Sequence, residues 1–284
     1  MEDHLPDIQR TKVSSIRLSR VGVSGVDFPI YIKTKEGKKV LCYAKVNLFV
    51  SLKHNIKGIN MSRTVRTLMK YRYTSFSRWV LWKFLYDLKN RSDTEDAYAE
   101  INFKYFIDRV APVSKEKSVM SYDCSFIGHI NKHNEYTFNL RVSAIGTSLC
   151  PCSKSMSLVD SKKNIGKGAH NQRSIVTVTV ETKRKRTMWI EDLVGVIEDC
   201  FSCRVYPVLK RPDEKYVTEK AYENPKFVED IARDIATTLQ SSGIVKRYKV
   251  KVVNKESIHT HDAVAYIYRK LKGKKWIEAS RGLK

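Results

Sequence analysis

Alternating apolar and polar stretches recur along this chain in two groups, each interrupted by helical patterns, and that order confines it to an α+β fold of two tandem units. The clearest is Ser-Ile-Val-Thr-Val-Thr-Val-Glu-Thr at 174–182, a strand with valines on one face. In the first half, residues 16–23 alternate loosely and 40–52 form a better strand. Lys57-Gly58-Ile59-Asn60 turns the chain, Ser62 resembles an N-cap, and 63–68 starts a helix. Residues 79–88 are apolar and helical in pattern, with aromatics expected in the core. Residues 93–111 read as a second helix, opened by Ser92, Asp93 and Glu95 and ended by Pro112. Strands at 117–129 and 135–145 follow, joined by Lys132-His133-Asn134. The second half continues with a helix at 189–199, a helix at 226–241 with Pro225 in its first turn and Gly243 closing it, and strands at 245–254 and 262–270. The expected organisation is an arm at 1–13, one unit at 14–145 and a second at 146–284.

Composition narrows the function. The chain is 42% hydrophobic over 284 residues, enough for a packed core. No apolar run approaches a membrane span, and the N-terminus lacks the basic and apolar regions of a signal peptide, so a cytoplasmic location is the expectation. The net charge of +23 suits either nucleic acid or a polyanionic small substrate. The cations are scattered, apart from Lys183-Arg184-Lys185-Arg186 and a run at 269–275, which argues against a dedicated nucleic-acid face. The six cysteines include a C-x-C at Cys150 and Cys152 and a C-x-x-C at Cys200 and Cys203. A zinc-stabilised nucleic-acid-binding protein with a closed four-cysteine site is therefore one alternative.

The densest chemistry lies at 146–174, with Cys150-Pro151-Cys152-Ser153-Lys154 and Gly168-Ala169-His170-Asn171-Gln172-Arg173. Thiolates, an imidazole and cations together suggest a metal site beside an anion site; a proline-stiffened turn with two buried cysteines is the alternative. Two later stretches add donors: Lys210-Arg211-Pro212-Asp213-Glu214 and Glu256-Ser257-Ile258-His259-Thr260-His261. A thiolate, an imidazole and a carboxylate from separate elements can meet at one ion, and three ligands with an open position make a catalytic site. On a strand, His259 and His261 would share a face.

These blocks, with Gly58-Ile59-Asn60-Met61-Ser62-Arg63, Arg109-Val110-Ala111-Pro112-Val113-Ser114, Tyr206-Pro207-Val208-Leu209 and Asn224-Pro225-Lys226-Phe227-Val228-Glu229, resemble the type IB GTP cyclohydrolase I family in order and over nearly the whole chain. The resemblance implies tandem tunnelling-fold units, each a four-stranded antiparallel sheet backed by two helices. It implies homotetramers with interfacial active sites that hydrolyse GTP to 7,8-dihydroneopterin triphosphate and formate. A similar archaeal branch releases a cyclic phosphate. By resemblance, Cys150, Glu214 and His259 are metal ligands, and His170 is a further ligand or proton donor. Cys152 is the second, non-ligating thiol, and Glu229 anchors the guanine edge. Arg63, Lys154, Arg173, Lys210 and Arg211 are expected at the triphosphate by motif position and charge. The ion is zinc, iron(II) or manganese. The family usually has histidine where this chain has Asn60, and the stretch between Lys154 and Gly168 is longer here.

Overall fold

The computed structural model describes residues 16–159 and 166–279. The expected arm and the extra residues at 160–164 lie outside these. The elements run β1 (Leu18–Lys33), β2 (Lys39–Leu52), α1 (Met61–Met69), β3 (Ser75–Phe76), α2 (Arg78–Arg91), β4 (Ala97–Val110), β5 (Lys117–Ile130), β6 (Tyr136–Leu149), α3 (Pro151–Leu158), β7 (Asn171–Thr182), α4 (Ile190–Glu198), β8 (Cys203–Arg204), α5 (Arg211–Glu223), α6 (Val228–Ser241), β9 (Val245–Lys255), β10 (Ala263–Lys272) and β11 (Lys275–Glu278). Eight long strands carry the architecture, and β3, β8 and β11 are short additions. No helix among the described residues is long and apolar enough to cross a membrane.

Two compact units form. One runs to Lys104 and takes in Ser125–Asn139; the other comprises Tyr105–Cys124 and the chain from Leu140 onward. In the first unit, β1 pairs antiparallel with β2 and β2 with β4. Inward positions of β2 (Cys42, Ala44, Val46, Leu48 and Val50) are buried and alternate with exposed ones, as a sheet with one covered face requires. Leu81, Phe84, Leu85 and Leu88 of α2 are fully buried. Trp79, expected in the core, is instead 67% exposed; it stacks on Trp82 at 4.5 Å between ring centroids, and Trp82 on Tyr86 at 5.6 Å.

In the second unit β7 pairs with β9 and β9 with β10, all antiparallel. Val176, Val178 and Val180 face the core with Tyr248, Val250 and Val252. Helices α4 and α6 bury Leu193, Val194, Ile197, Ile231, Ile235 and Leu239. Phe201 passes so close to Gly146 that a Cβ there would lie 2.1 Å from the ring. Gly146→Ala is expected to destabilise the protein by about 1–3 kcal/mol through overpacking, read as a lower urea midpoint at unchanged slope.

Three local expectations are corrected. Residues 97–110 are the strand β4, not a helix. Ala97, Ala99, Ile101 and Phe103 are buried and alternate with polar or half-exposed residues, so the period of two outweighs the acids before it. Ser92 is the C-cap of α2, and Asp93 takes a left-handed φ of 51° that ends that helix. The N-cap of α1 is Asn60, not Ser62: its Oδ1 accepts from the Arg63 amide at 3.0 Å. Asn60 is thus engaged as a cap.

Candidate active site

The site is built where β6 gives way to α3. Pro151 takes the first helical position, where its fixed φ suits a helix and its missing N–H is no loss. Cys150 becomes the N-cap, its Sγ accepting from the Ser153 amide at 3.4 Å. The thiol of Cys150 is half-buried and that of Cys152 exposed, so the two cysteines already differ in surroundings. The Cys150 amide donates to the His170 carbonyl at 3.0 Å, and the His170 amide donates to Ser153 Oγ at 3.3 Å. The two expected catalytic segments are therefore joined backbone to backbone. Beneath them, Leu149, Cys203 and Ala221 form a small buried cluster with Ala169, Val217 and Tyr222 packed against it.

His170 is oriented from behind. Glu256, an acceptor when ionised, receives Gln172 Nε2 at 3.3 Å on Oε1. The Gln172 amide is thereby turned so that its Oε1 faces His170 Nδ1, at 2.8 Å. Nδ1 must then carry the proton, and in the neutral ring Nε2 keeps its lone pair. Glu256 Oε2 stands 3.8 Å from Nδ1 as well. Sequence reasoning passed over Gln172 and Glu256 as actors. Gln172 shares the buried face of alternating β7 with Ser174, which is the signal that could have singled it out.

The remaining expected residues are distributed as follows. Glu214 is exposed in the first turn of α5, and Arg211 is exposed at its start. Glu229 is exposed in the first turn of α6. The segment before α6 is docked beside Cys150, because Lys226 donates to the Leu149 carbonyl at 3.0 Å and accepts from Ser148 Oγ at 2.8 Å. His259 and His261 lie between β9 and β10, not on a strand, yet their rings stack at 5.3 Å. Arg173 is exposed on β7 opposite Lys255. Two expected phosphate ligands have protein partners. Lys154 Nζ donates to the Tyr222 carbonyl at 2.6 Å and lies 4.4 Å from its ring centroid, tying α3 to the end of α5. Lys210 Nζ pairs with Glu116, which raises the pKa of the lysine. Arg63 belongs to the first unit, where it donates to the Arg91 carbonyl at 3.1 Å.

Cys200 and Cys203, the other half of the four-cysteine alternative, are buried packing residues. Burial pushes the Cys200 thiol up to about 11, and it donates to the Val196 carbonyl at 3.2 Å. Among the described residues no three His, Cys, Asp or Glu side chains come close enough to share an ion. The donor types at 150 and 170, a thiol and an imidazole, are nonetheless those that ion sites use. Cys150 is accessible, and the Nδ1–H of His170 is taken by a carboxylate-backed amide, the outer-shell pattern that leaves Nε2 for an ion.

Comparison with known proteins bears on the fold and on the family. The fold is similar to the uricase of Arthrobacter globiformis (TM-score 0.58, 10% identity, 96% of this chain and 99% of that one). It is also similar to a uricase from Bacillus fastidious (TM-score 0.50, 7% identity, 88% and 93%). The architecture is thus the α+β tandem tunnelling fold. In sequence the chain is 42% identical over 266 residues to "GTP cyclohydrolase FolE2" of Geobacter metallireducens, covering 93% of this chain and 97% of that protein. It is 41% identical over 254 residues to the protein of the same description in Nitrosomonas eutropha, covering 89% and 91%. The family model described as "Type I GTP cyclohydrolase folE2" matches residues 5–265, and the chain belongs to that family.

Proposed function

We propose that this protein hydrolyses GTP at C8 of the guanine, releasing formate and forming 7,8-dihydroneopterin triphosphate, the first step toward tetrahydrofolate and related pterins. The observation that carries the reading is the Glu256–Gln172–His170 chain, which leaves one imidazole nitrogen with a lone pair on a segment hydrogen-bonded to the backbone of Cys150. Cys150 and His170 would hold a divalent ion, zinc, iron(II) or manganese, with Glu214 and His259 the further donors by resemblance. Such an ion supplies a Lewis acid that lowers the pKa of water toward neutrality. His170 Nε2 is oriented to hold an ion or to accept a proton, and the exposed Cys152 thiol can shuttle a proton as the ring opens. Glu229 can accept from guanine N1–H and the 2-amino group in parallel, a pairing that adenine lacks. Of the expected triphosphate contacts, Arg173 and Arg211 are exposed. Lys154 and Lys210 are paired with the Tyr222 carbonyl and with Glu116, partners that phosphate oxygens would replace. By family resemblance we place the sites at subunit interfaces of a homotetramer, and the exposure of Glu214, Glu229 and His259 suits contact with a neighbouring copy.

The test is incubation of the purified protein with GTP and Mn²⁺, Zn²⁺ or anaerobic Fe²⁺. Formate and a neopterin that fluoresces on oxidation are expected. The mass of the product distinguishes the triphosphate from the cyclic phosphate. No product with any of the three ions would sink the reading.

A further inference from the structure

Arg109-Val110-Ala111-Pro112-Val113-Ser114 stands out in the sequence, and nothing in the proposed reaction uses it. In the fold it ends β4 and turns toward β5. The Ala111 amide closes the turn on the Glu116 carbonyl at 2.9 Å, and Lys115 takes a left-handed φ of 62°. The turn lies against the start of α5. There Asp213, fully buried, receives four hydrogen bonds. Its Oδ1 accepts from the Val113 amide at 2.8 Å and the Ser114 amide at 2.9 Å. Its Oδ2 accepts from Ser114 Oγ at 2.5 Å and the Lys210 amide at 2.9 Å.

Only the last of these bonds is an ordinary helix cap. The other three come from a segment about a hundred residues earlier in the chain. The Lys210–Glu116 ion pair adds a second link between turn and helix. The root of the turn is fixed in its own right, because Arg109 donates to Glu198 at 3.0 Å and to Tyr122 Oη at 3.1 Å. Burial alone would push the Asp213 carboxyl up, but the Ser114 hydroxyl and the amides of Ser114, Lys210 and Val113 hold it well below the usual carboxylate range.

We infer that the 110–116 turn is a brace for the start of α5, with Asp213 the positioning residue that sets the direction in which the helix presents Glu214. The inference rests on the metal-ligand role proposed for Glu214. Asp213 is the residue before it, so a small tilt of the first turn moves Glu214 directly. Ligand sites tolerate displacements of only about 0.5 Å. The brace also accounts for Lys210, whose ammonium faces the turn.

The test uses the full chain, with Mn²⁺ alone as the probe in an electron paramagnetic resonance titration, alongside GTP kinetics and thermal melts. Ser114→Ala removes one of the four bonds and keeps both turn amides. It is expected to melt within a few degrees of the wild type and to bind Mn²⁺ about tenfold more weakly. Its kcat should fall by about the same factor while KM for GTP stays within about twofold, the pattern of a misplaced reacting centre. Asp213→Asn sets an amide NH₂ against N–H donors and should move every readout further in the same direction. A folded Ser114→Ala with wild-type Mn²⁺ affinity and kcat overturns the brace. So does a raised KM at unchanged kcat, which would assign the turn to substrate binding. Where Asp213→Asn fails to fold, Ser114→Ala alone decides. A wild-type protein that binds Mn²⁺ but releases no formate sinks the cyclohydrolase reading and leaves the Mn²⁺ comparison valid. One that binds no Mn²⁺ overturns the brace as stated.

Discussion

Replacing Cys150 by alanine is expected to abolish formate release from GTP while leaving the protein folded. Two roles of this cysteine separate in the experiment. As an N-cap, its sulfur accepts one bond from the Ser153 amide at 3.4 Å, and loss of a cap costs about 1 kcal/mol. Pro151 at the first helical position and the packed Leu149 beside it remain, so the melt should move by only a few degrees. As the proposed thiolate donor, it has no substitute nearby, since Cys203 is buried in the cluster below and Cys152 points to solvent. Turnover should fall by at least about a thousandfold, roughly 4 kcal/mol of transition-state stabilisation. Cys150→Ser restores an oxygen cap without a soft donor, so recovered stability with no recovered activity is the discriminating outcome. Full activity in the alanine variant would remove Cys150 from the reaction.

The largest expected effect on stability lies away from the site, at Glu198. Its carboxylate is 2% exposed and receives Arg109 at 3.0 Å, Arg204 at 3.4 Å and the Tyr122 hydroxyl. Burial and this carboxylate push the Tyr122 phenol far above its usual range, so it remains a donor. Glu198→Ala would leave the guanidinium of Arg109, itself 18% exposed, without its charge partner. Breaking a buried pair from one side costs about 3–5 kcal/mol. Urea unfolding monitored by tryptophan fluorescence should show that loss, and a change under about 1 kcal/mol would class the pair with solvent-exposed ones. Because Arg109 roots the 110–116 turn, the variant should also lose turnover at temperatures where it is still folded.

What the sequence revealed, and what it hid, follows from the range of the forces involved. Strands such as 174–182 were legible because their period of two is written locally. Residues 97–110 carry the same period, but an acidic start and a terminal proline imitate helix punctuation, and only the covering of one sheet face decides between them. Helices α3 and α5 were missed: α3 spans eight residues and buries none, and α5 buries only Asp213 and Ala221, so neither shows an apolar stripe. At the site, Cys150 and His170 were readable as candidates from residue type alone. The partners of Lys154 and Lys210 were not, because a lysine on a carbonyl and ring, or on a glutamate from another turn, looks like any other lysine in sequence. Gln172 and Glu256 meet across 84 positions, a separation that no local pattern encodes.

The distribution of thiols has a consequence for how this molecule ages. Cys42, Cys124, Cys200 and Cys203 are all buried, and burial pushes the thiols of Cys42 and Cys200 up to about 11. Thiolate is the form that peroxides and electrophiles attack, so Cys42, Cys200 and Cys203 are shielded twice, by access and by protonation, and Cys124 by access. Cys150 and Cys152 are the accessible thiols. Thiol oxidation will therefore fall first on the two cysteines of the 150–152 segment, and a stored preparation is expected to lose catalysis while its melting curve still looks intact.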